Sequence, residues 1–247
     1  MRQVGSRREP AIAEQASGPL LIEGARFNEA VSRLARTTFV PKGVYRYKSH
    51  DEANSHELDC LVRGMGHGIA RPDAGVMNQY SRPATLDDLK LLLRSLNQHG
   101  VEYLLIGGYA LAAHGYQRAT TDIDLLVRPT AEAGQRVKDA LMVLPDQAAR
   151  DIAPEWFEEG ANIRVADAFI VDIMLNANGH TFDTLRRYAQ TIDLDGIAVR
   201  TVNLEGLLLT KQTTREKDVA DRIIIERALE VFRAQPGQAE GDPGREP

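Results

Sequence analysis

The stretch LLIGGYALAAHGYQRATTDIDLLV, which ends at Val127, constrains this chain more than any other. The apolar run Val101–Ile106 stops at two glycines, Gly107 and Gly108, and reads as a buried strand entering a tight turn. Ala-rich Tyr109–Gly115 suits a short helix, and Asp122–Val127 (DIDLLV) reads as a second strand. Strand, turn, helix and strand packed into so little chain predict an α/β (α+β) fold.

The second strand carries the first candidate chemistry. Side chains two apart on a strand share a face, so Asp122 and Asp124 project together while Ile123 enters the opposite face. Two such carboxylates repel unless something positive lies between them, and a divalent cation with oxygen ligands meets that need. Taken alone, the pair is more simply two surface aspartates on a half-exposed strand. Gly107 and Gly108 let a backbone approach a ligand closely, and the N–H groups that follow suit phosphate. Taken alone, the diglycine is more simply a tight turn needed for packing. Asp172, in AFIVDIML, is the third piece, since an acid among so many apolar neighbours is costly unless paired or hydrogen-bonded. It is either a buried acid satisfied locally or a third carboxylate beside the other two.

Around this centre the chain divides into an irregular N-terminal extension and linker (1–83), a body (84–233) and a polar tail (234–247) read as disordered. In the extension, Glu23–Ala35 predicts an amphipathic helix with Phe27, Val31 and Leu34 on its apolar face. Phe39–Lys48 reads as a turn into a short strand. Ser49 and Glu52 predict a cap for a helix from His50 to Met65, and Gly66–Pro83 reads as a linker. In the body, Thr85 and Asp88 resemble a capping box before a leucine stripe that Gly100 ends. Thr130–Leu144, Thr181–Gln190, a run from Asn203 to Gln212 and Glu216–Arg233 read as helices. Asn162–Ala166 with Ala168–Leu175, and Thr191–Val202 turning at Asp195–Gly196, read as hairpins.

Composition narrows the classes. A net charge of -5 argues against a generally basic nucleic-acid binder, although nine Lys/Arg against four Asp/Glu in Met1–Lys48 make a basic arm. That arm either touches nucleic acid or is a solvated tail. The single cysteine, Cys60, excludes an intrachain disulfide and fits a reducing cytoplasm. No signal-peptide core and no apolar run near the ~20 residues of a membrane span is visible, so the expectation is a cytoplasmic protein without a membrane partner.

The order of these pieces resembles the nucleotidyltransferase superfamily that includes polymerase beta, kanamycin nucleotidyltransferase and minimal bacterial nucleotidyltransferases. A hydrophobic strand, a Gly-Gly turn, an acid-hydrophobic-acid strand and a later acid strand match over roughly Thr85–Leu229. Within it the chain is most similar to bacterial members associated with abortive infection and toxin–antitoxin systems, through LEGLLLTKQTTREKDVADRIIIERAL with Lys211, Arg215, Lys217, Asp218 and Asp221. The resemblance implies a small mixed sheet flanked by helices, with further helices at the C-terminal end.

It also implies transfer of a nucleoside monophosphate from a nucleoside triphosphate to an acceptor, with two Mg2+ ions. Asp122 and Asp124 would bridge the metals, and Asp172 would hold one of them and accept the acceptor's proton. Gly107 and Gly108 would meet the triphosphate. Lys211 is either a phosphate contact or a solvated helix lysine, and Arg118 either reaches phosphate or anchors its loop. Asp218 orients Lys211 or pairs with Arg215. Tyr109 reads as core rather than a base-stacking ring, and His114 is not read as a metal ligand. The acceptor implied is tRNA or a protein, with an antibiotic or a silent binding module as alternatives. PKGVYRYKSHDEAN resembles a small module accompanying such enzymes, which implies an antitoxin partner or a fused antitoxin-like segment.

Overall fold

The computed structural model describes residues 12–34, 37–66 and 78–234. The readings for residues 1–11, for most of the linker and for the tail from 235 lie outside them.

A seven-stranded mixed sheet forms the frame, in the order β1-β4-β5-β3-β2-β7-β6. Its strands are β1 (Gly43–Tyr47), β2 (Tyr103–Leu105), β3 (Asp122–Val127), β4 (Asn162–Ala166), β5 (Ile170–Met174), β6 (Ala189–Leu194) and β7 (Ile197–Val202). Parallel pairing joins β3 to β5 and β2 to β7, and the other neighbours are antiparallel. The helices are α1 (Gly18–Ser32), α2 (His50–Gly66), α3 (Leu86–Gln98), α4 (Gly107–Ala113), α5 (Ala131–Leu141), α6 (Phe182–Leu185), α7 (Leu204–Thr210) and α8 (Glu216–Ala234). The α/β class is as expected, but the sheet is wider than the small one anticipated. Strand β1, from the N-terminal segment, extends one edge by pairing with β4. The β6–β7 hairpin forms the other edge.

Alternation along β3 sorts the two faces. Ile123, Leu125 and Val127 enter the larger core with Leu89, Leu92, Leu93 and Leu96 of α3. Leu126, from the Asp122/Asp124 side, enters a second core with Met174 of β5 and with Leu204 and Leu207 of α7. Helix α3 begins where Thr85 and Asp88 close a reciprocal capping box, and Arg82 holds Asp88 through both carboxylate oxygens. An aspartate does here what a glutamate usually does because Arg82 fixes its position.

Three local expectations change. Helix α1 starts at Gly18, capped by the Ser17 hydroxyl, and buries Leu21, Ala25 and Asn28. Phe27 and Leu34 face outward at 37% and 89% exposure, because α1 approaches α4 through Gly24, whose added Cβ would lie 2.3 Å from the Ala112 Cβ. Only small residues allow that approach. The helix expected over Thr181–Gln190 stops at Leu185, passes through one 3-10 turn, and becomes strand from Ala189, where β7 supplies backbone partners. The diglycine forms the first turn of α4 rather than a loop ahead of it. Helix α2 is capped much as expected: the Ser49 hydroxyl accepts from the Glu52 N–H, and Glu52 accepts from the Lys48 N–H.

Candidate metal centre

Strands β3 and β5 run parallel in a register that sets Asp124 directly beside Asp172. Asp122 lies one pleat away on the same face. One carboxylate oxygen from each of the three lies within 4.8 Å of the others. A β3–β5 slip of one residue would send Asp172 to the opposite face and dissolve the cluster.

The three acids have different surroundings. Arg164, on β4 opposite Asp172, donates to both of its oxygens, from Nε at 2.8 Å and Nη2 at 2.7 Å. The same Nη2 lies 3.8 Å from Asp122 and 3.9 Å from Glu57 of α2. Asp122 also accepts from the Thr120 hydroxyl at 2.8 Å, and the Thr120 N–H donates to Asn28 of α1. The Asp124 carboxylate has neither a hydrogen bond nor an ion pair among the described residues, although the backbone carbonyl of Asp124 accepts from the Ile106 N–H.

These surroundings push the two β3 acids in opposite directions. Burial raises Asp122, but Arg164 and the Thr120 hydroxyl outweigh it and hold the carboxyl below its usual range. Burial, then Asp122, then Asp172 push Asp124 well above its usual range. Neighbouring acids with divergent proton affinities are typical of functional sites.

Gly107 makes room for Asp124. Its φ is +66°, and a Cβ built there would lie 1.8 Å from the Asp124 Oδ2. Gly107→Ala combines a left-handed strain of ~1–2 kcal/mol with that collision. The expected loss is about 2–4 kcal/mol by thermal or urea unfolding, together with loss of metal binding. Gly160 is the control: its φ is +77° but nothing lies within 4 Å of its added Cβ, so Gly160→Ala bears the backbone strain alone. Equal losses from both would show that Asp124 does not press on Gly107.

The opposite wall of the cleft is cationic. Lys211, buried at the end of α7, sits 2.9 Å from Asp218 and 3.1 Å from Asp221 of α8. Arg118 lies 3.0 Å from Asp221. Asp218 is nearer Lys211 than Arg215, which is 3.8 Å away, and also accepts from the Thr213 hydroxyl. Burial opposes the charge of Asp218, but Lys211 and Thr213 outweigh it and hold the carboxyl below its usual range. The cleft is thus lined by Glu57, Asp122, Asp124, Asp172 and Asp218 against Arg118, Arg164, Lys211, Arg215 and Lys217. Tyr109 is buried in the core at 2% exposure, and the ring nitrogens of His114 face the Ala13 and Val202 carbonyls.

Sequence reasoning singled out Asp122, Asp124, Asp172, Gly107, Arg118 and Lys211, and all six line this one cleft. Gly108 does not: it packs under Thr120, whose Cβ would lie 2.8 Å from an added Cβ. Sequence reasoning missed Arg164 and Glu57. The signal for Arg164 was an arginine between Ile163 and Val165 in an apolar strand, which needs a buried acid as partner. Glu57 carried no signal, being one of several acids on a polar helix.

The donor set fits a hard divalent cation. It offers three carboxylates on rigid neighbouring strands, one of them unpartnered, with a backbone cradle beside it. Binding then displaces any proton on Asp124, so affinity rises with pH above the ordinary carboxylate pKa of ~3.9. In that window Asp124 holds its proton more tightly in the metal-free folded state than in the unfolded one, so the contribution of Asp124 to stability falls as pH rises. Calorimetric titration with Mg2+ in two buffers of different ionisation enthalpy is expected to show proton release that vanishes in Asp124→Asn. Equal heats in both buffers would contradict it.

The fold and cleft define an α/β protein with an acidic cluster at the centre of a mixed sheet. A scan against known protein families finds no match to this chain, and neither does a search of curated proteins. Among the described residues, no helix is long and apolar enough to cross a membrane.

Proposed function

We propose that this chain transfers a nucleoside monophosphate from a nucleoside triphosphate to an acceptor hydroxyl in a magnesium-dependent reaction. The observation that carries the reading is Asp124 beside Asp172, with Asp122 one pleat away, facing a wall of lysine and arginine. A triphosphate needs both: carboxylates for its metal ions and cations for its phosphate oxygens. Two bound Mg2+ ions would supply charge neutralisation at the attacking and leaving oxygens. Asp122, Asp124 and Asp172 would hold them. Arg164 orients Asp172, and Thr120 orients Asp122. Lys211 and Arg118, positioned by Asp218 and Asp221, contact phosphate. The acceptor oxygen bonds to the α-phosphorus, pyrophosphate leaves, and the acceptor's proton passes to Asp172.

The acceptor is tRNA or a protein, in a toxin–antitoxin or phage-defence setting in the cytoplasm, and the N-terminal segment is an antitoxin-like element in the same chain. The likeness of LEGLLLTKQTTREKDVADRIIIERAL and PKGVYRYKSHDEAN to that bacterial group supports this. The reading is tested by incubating the protein with each radiolabelled nucleoside triphosphate, Mg2+, cellular RNA and cellular protein. A labelled RNA or protein band and released pyrophosphate are expected, and both should be lost in Asp122→Ala. Triphosphate binding without any product would favour the second reading, a silent nucleotide-binding module. That reading draws on Arg164, which already occupies both oxygens of Asp172.

A further inference from the structure

We propose that helix α2 closes the carboxylate cleft and must lift away before a nucleoside triphosphate enters. The proposal rests on the reading of that cleft as a triphosphate site.

Space is the first argument. With α2 in place the cleft encloses about 50 Å³. That suits a water or a metal ion, whereas pockets for nucleotide-sized ligands measure roughly 300–1,000 Å³. Asn54 and Glu57 are the α2 residues that line it.

Charge is the second. Glu57 places a fourth carboxylate beside the three aspartates, where a triphosphate would bring further negative charge. It is held by the Thr121 hydroxyl at 3.4 Å and lies 3.9 Å from Arg164. On the cationic wall, Arg215 donates to the Asn54 side chain. The closed helix therefore occupies Arg215, a cation that a polyanion would otherwise meet, and sets a further carboxylate near Arg164.

The third argument is the polarity of the helix. A surface helix normally buries its apolar stripe and exposes its polar face. Helix α2 departs from this. The residues it buries fully are small: Ala53, Cys60 and Gly64, with Cys60 against Val40, Ala166 and Ile170. Asn54, His56 and Glu57 are partly buried, and its large apolar side chains Leu58, Leu61 and Val62 stand 60%, 41% and 60% exposed. Its contact with strand β1 is likewise polar and aromatic, with the Tyr47 hydroxyl 2.6 Å from the His56 ring and the Tyr45 ring at 4.6 Å. Closure thus buries only small apolar side chains of α2, chiefly Ala53 and Cys60, which leaves the open position within reach of ligand binding energy.

Cys60 provides the readout, because it is the only thiol in the chain and lies on the inner side of α2 at 7% exposure. Its rate of labelling by a chromogenic disulfide reagent reports how often α2 lifts. In the full-length protein, labelling is expected to be at least ten-fold faster than global unfolding allows. Asn54→Ala/Glu57→Ala should accelerate it a further ten-fold or more without lowering the unfolding midpoint. The same double variant should bind a fluorescent nucleoside triphosphate with Mg2+ at least ten-fold tighter than the natural protein. Labelling that only tracks global unfolding would overturn the proposal, whether or not nucleotide binds. So would equal triphosphate affinity of the two proteins. Fast local labelling with no triphosphate binding by either protein would overturn the proposal as stated, by removing the ligand, and would leave α2 a mobile cover over a cleft with another ligand.

Discussion

Arg164→Met is expected to lower stability by about 3–5 kcal/mol, because it leaves buried carboxylates without their shared cation. Arg164 is 3% exposed, donates twice to Asp172, and lies within 4 Å of Asp122 and Glu57. Methionine keeps the apolar bulk but none of the donors. At roughly 2–4 °C per kcal/mol for a chain of this size, the melting temperature in EDTA should fall by roughly 6–20 °C. Divalent cation then replaces the missing positive charge, so Mg2+ should raise the variant's melting temperature more than it raises that of the natural protein. Scanning calorimetry with and without Mg2+ checks both statements. A variant that melts within 2 °C of the natural protein in EDTA would mean that Arg164 does not neutralise the cluster.

Asp124→Asn is expected to act in opposite directions on stability and on ligand binding. Its carboxylate has no hydrogen-bond or ion-pair partner among the described residues and is flanked by two other acids. Removing that charge at pH 8 in EDTA relieves repulsion, for an expected gain of about 1 kcal/mol, or roughly 2–4 °C. The same change removes a metal ligand. Loss of a residue that merely orients a ligand costs 10–100-fold in metal affinity, so loss of a ligand should cost more than ~100-fold, with nucleotidyl transfer falling at least as far. The natural protein at Mg2+ concentrations ~100 times the dissociation constant should gain about 2.7 kcal/mol, and the variant none. A variant less stable than the natural protein in EDTA would show that Asp124 is structural. A variant that still responds to Mg2+ would remove it from the metal centre.

Much of the body was legible because its signals are local. The leucine stripe of α3, the capping pair Thr85 and Asp88, and the Asp195–Gly196 turn each depend on residues within a few positions of one another. The N-terminal segment was harder to read. Its helix α1 packs through Gly24 against Ala112, and its strand β1 finds a partner in β4, more than a hundred residues away. Neither leaves a periodic trace, since small residues and edge strands carry little hydrophobic pattern. The outward-facing Phe27 and Leu34 show the consequence: the stripe expected to be buried was not the face that α4 accepts.

The candidate site divides the same way. Two-residue alternation is a property of any strand, so the sequence alone determined that Asp122 and Asp124 share a face, and it marked Gly107 at the end of the preceding strand. Which acid would stand beside Asp124, that Arg164 would neutralise Asp172, and that Glu57 would arrive from a helix before the body depend on strand order and register. Those are set by the packing of two cores on the two faces of the sheet, where burial is summed over many distant residues and no short stretch of chain contains the answer.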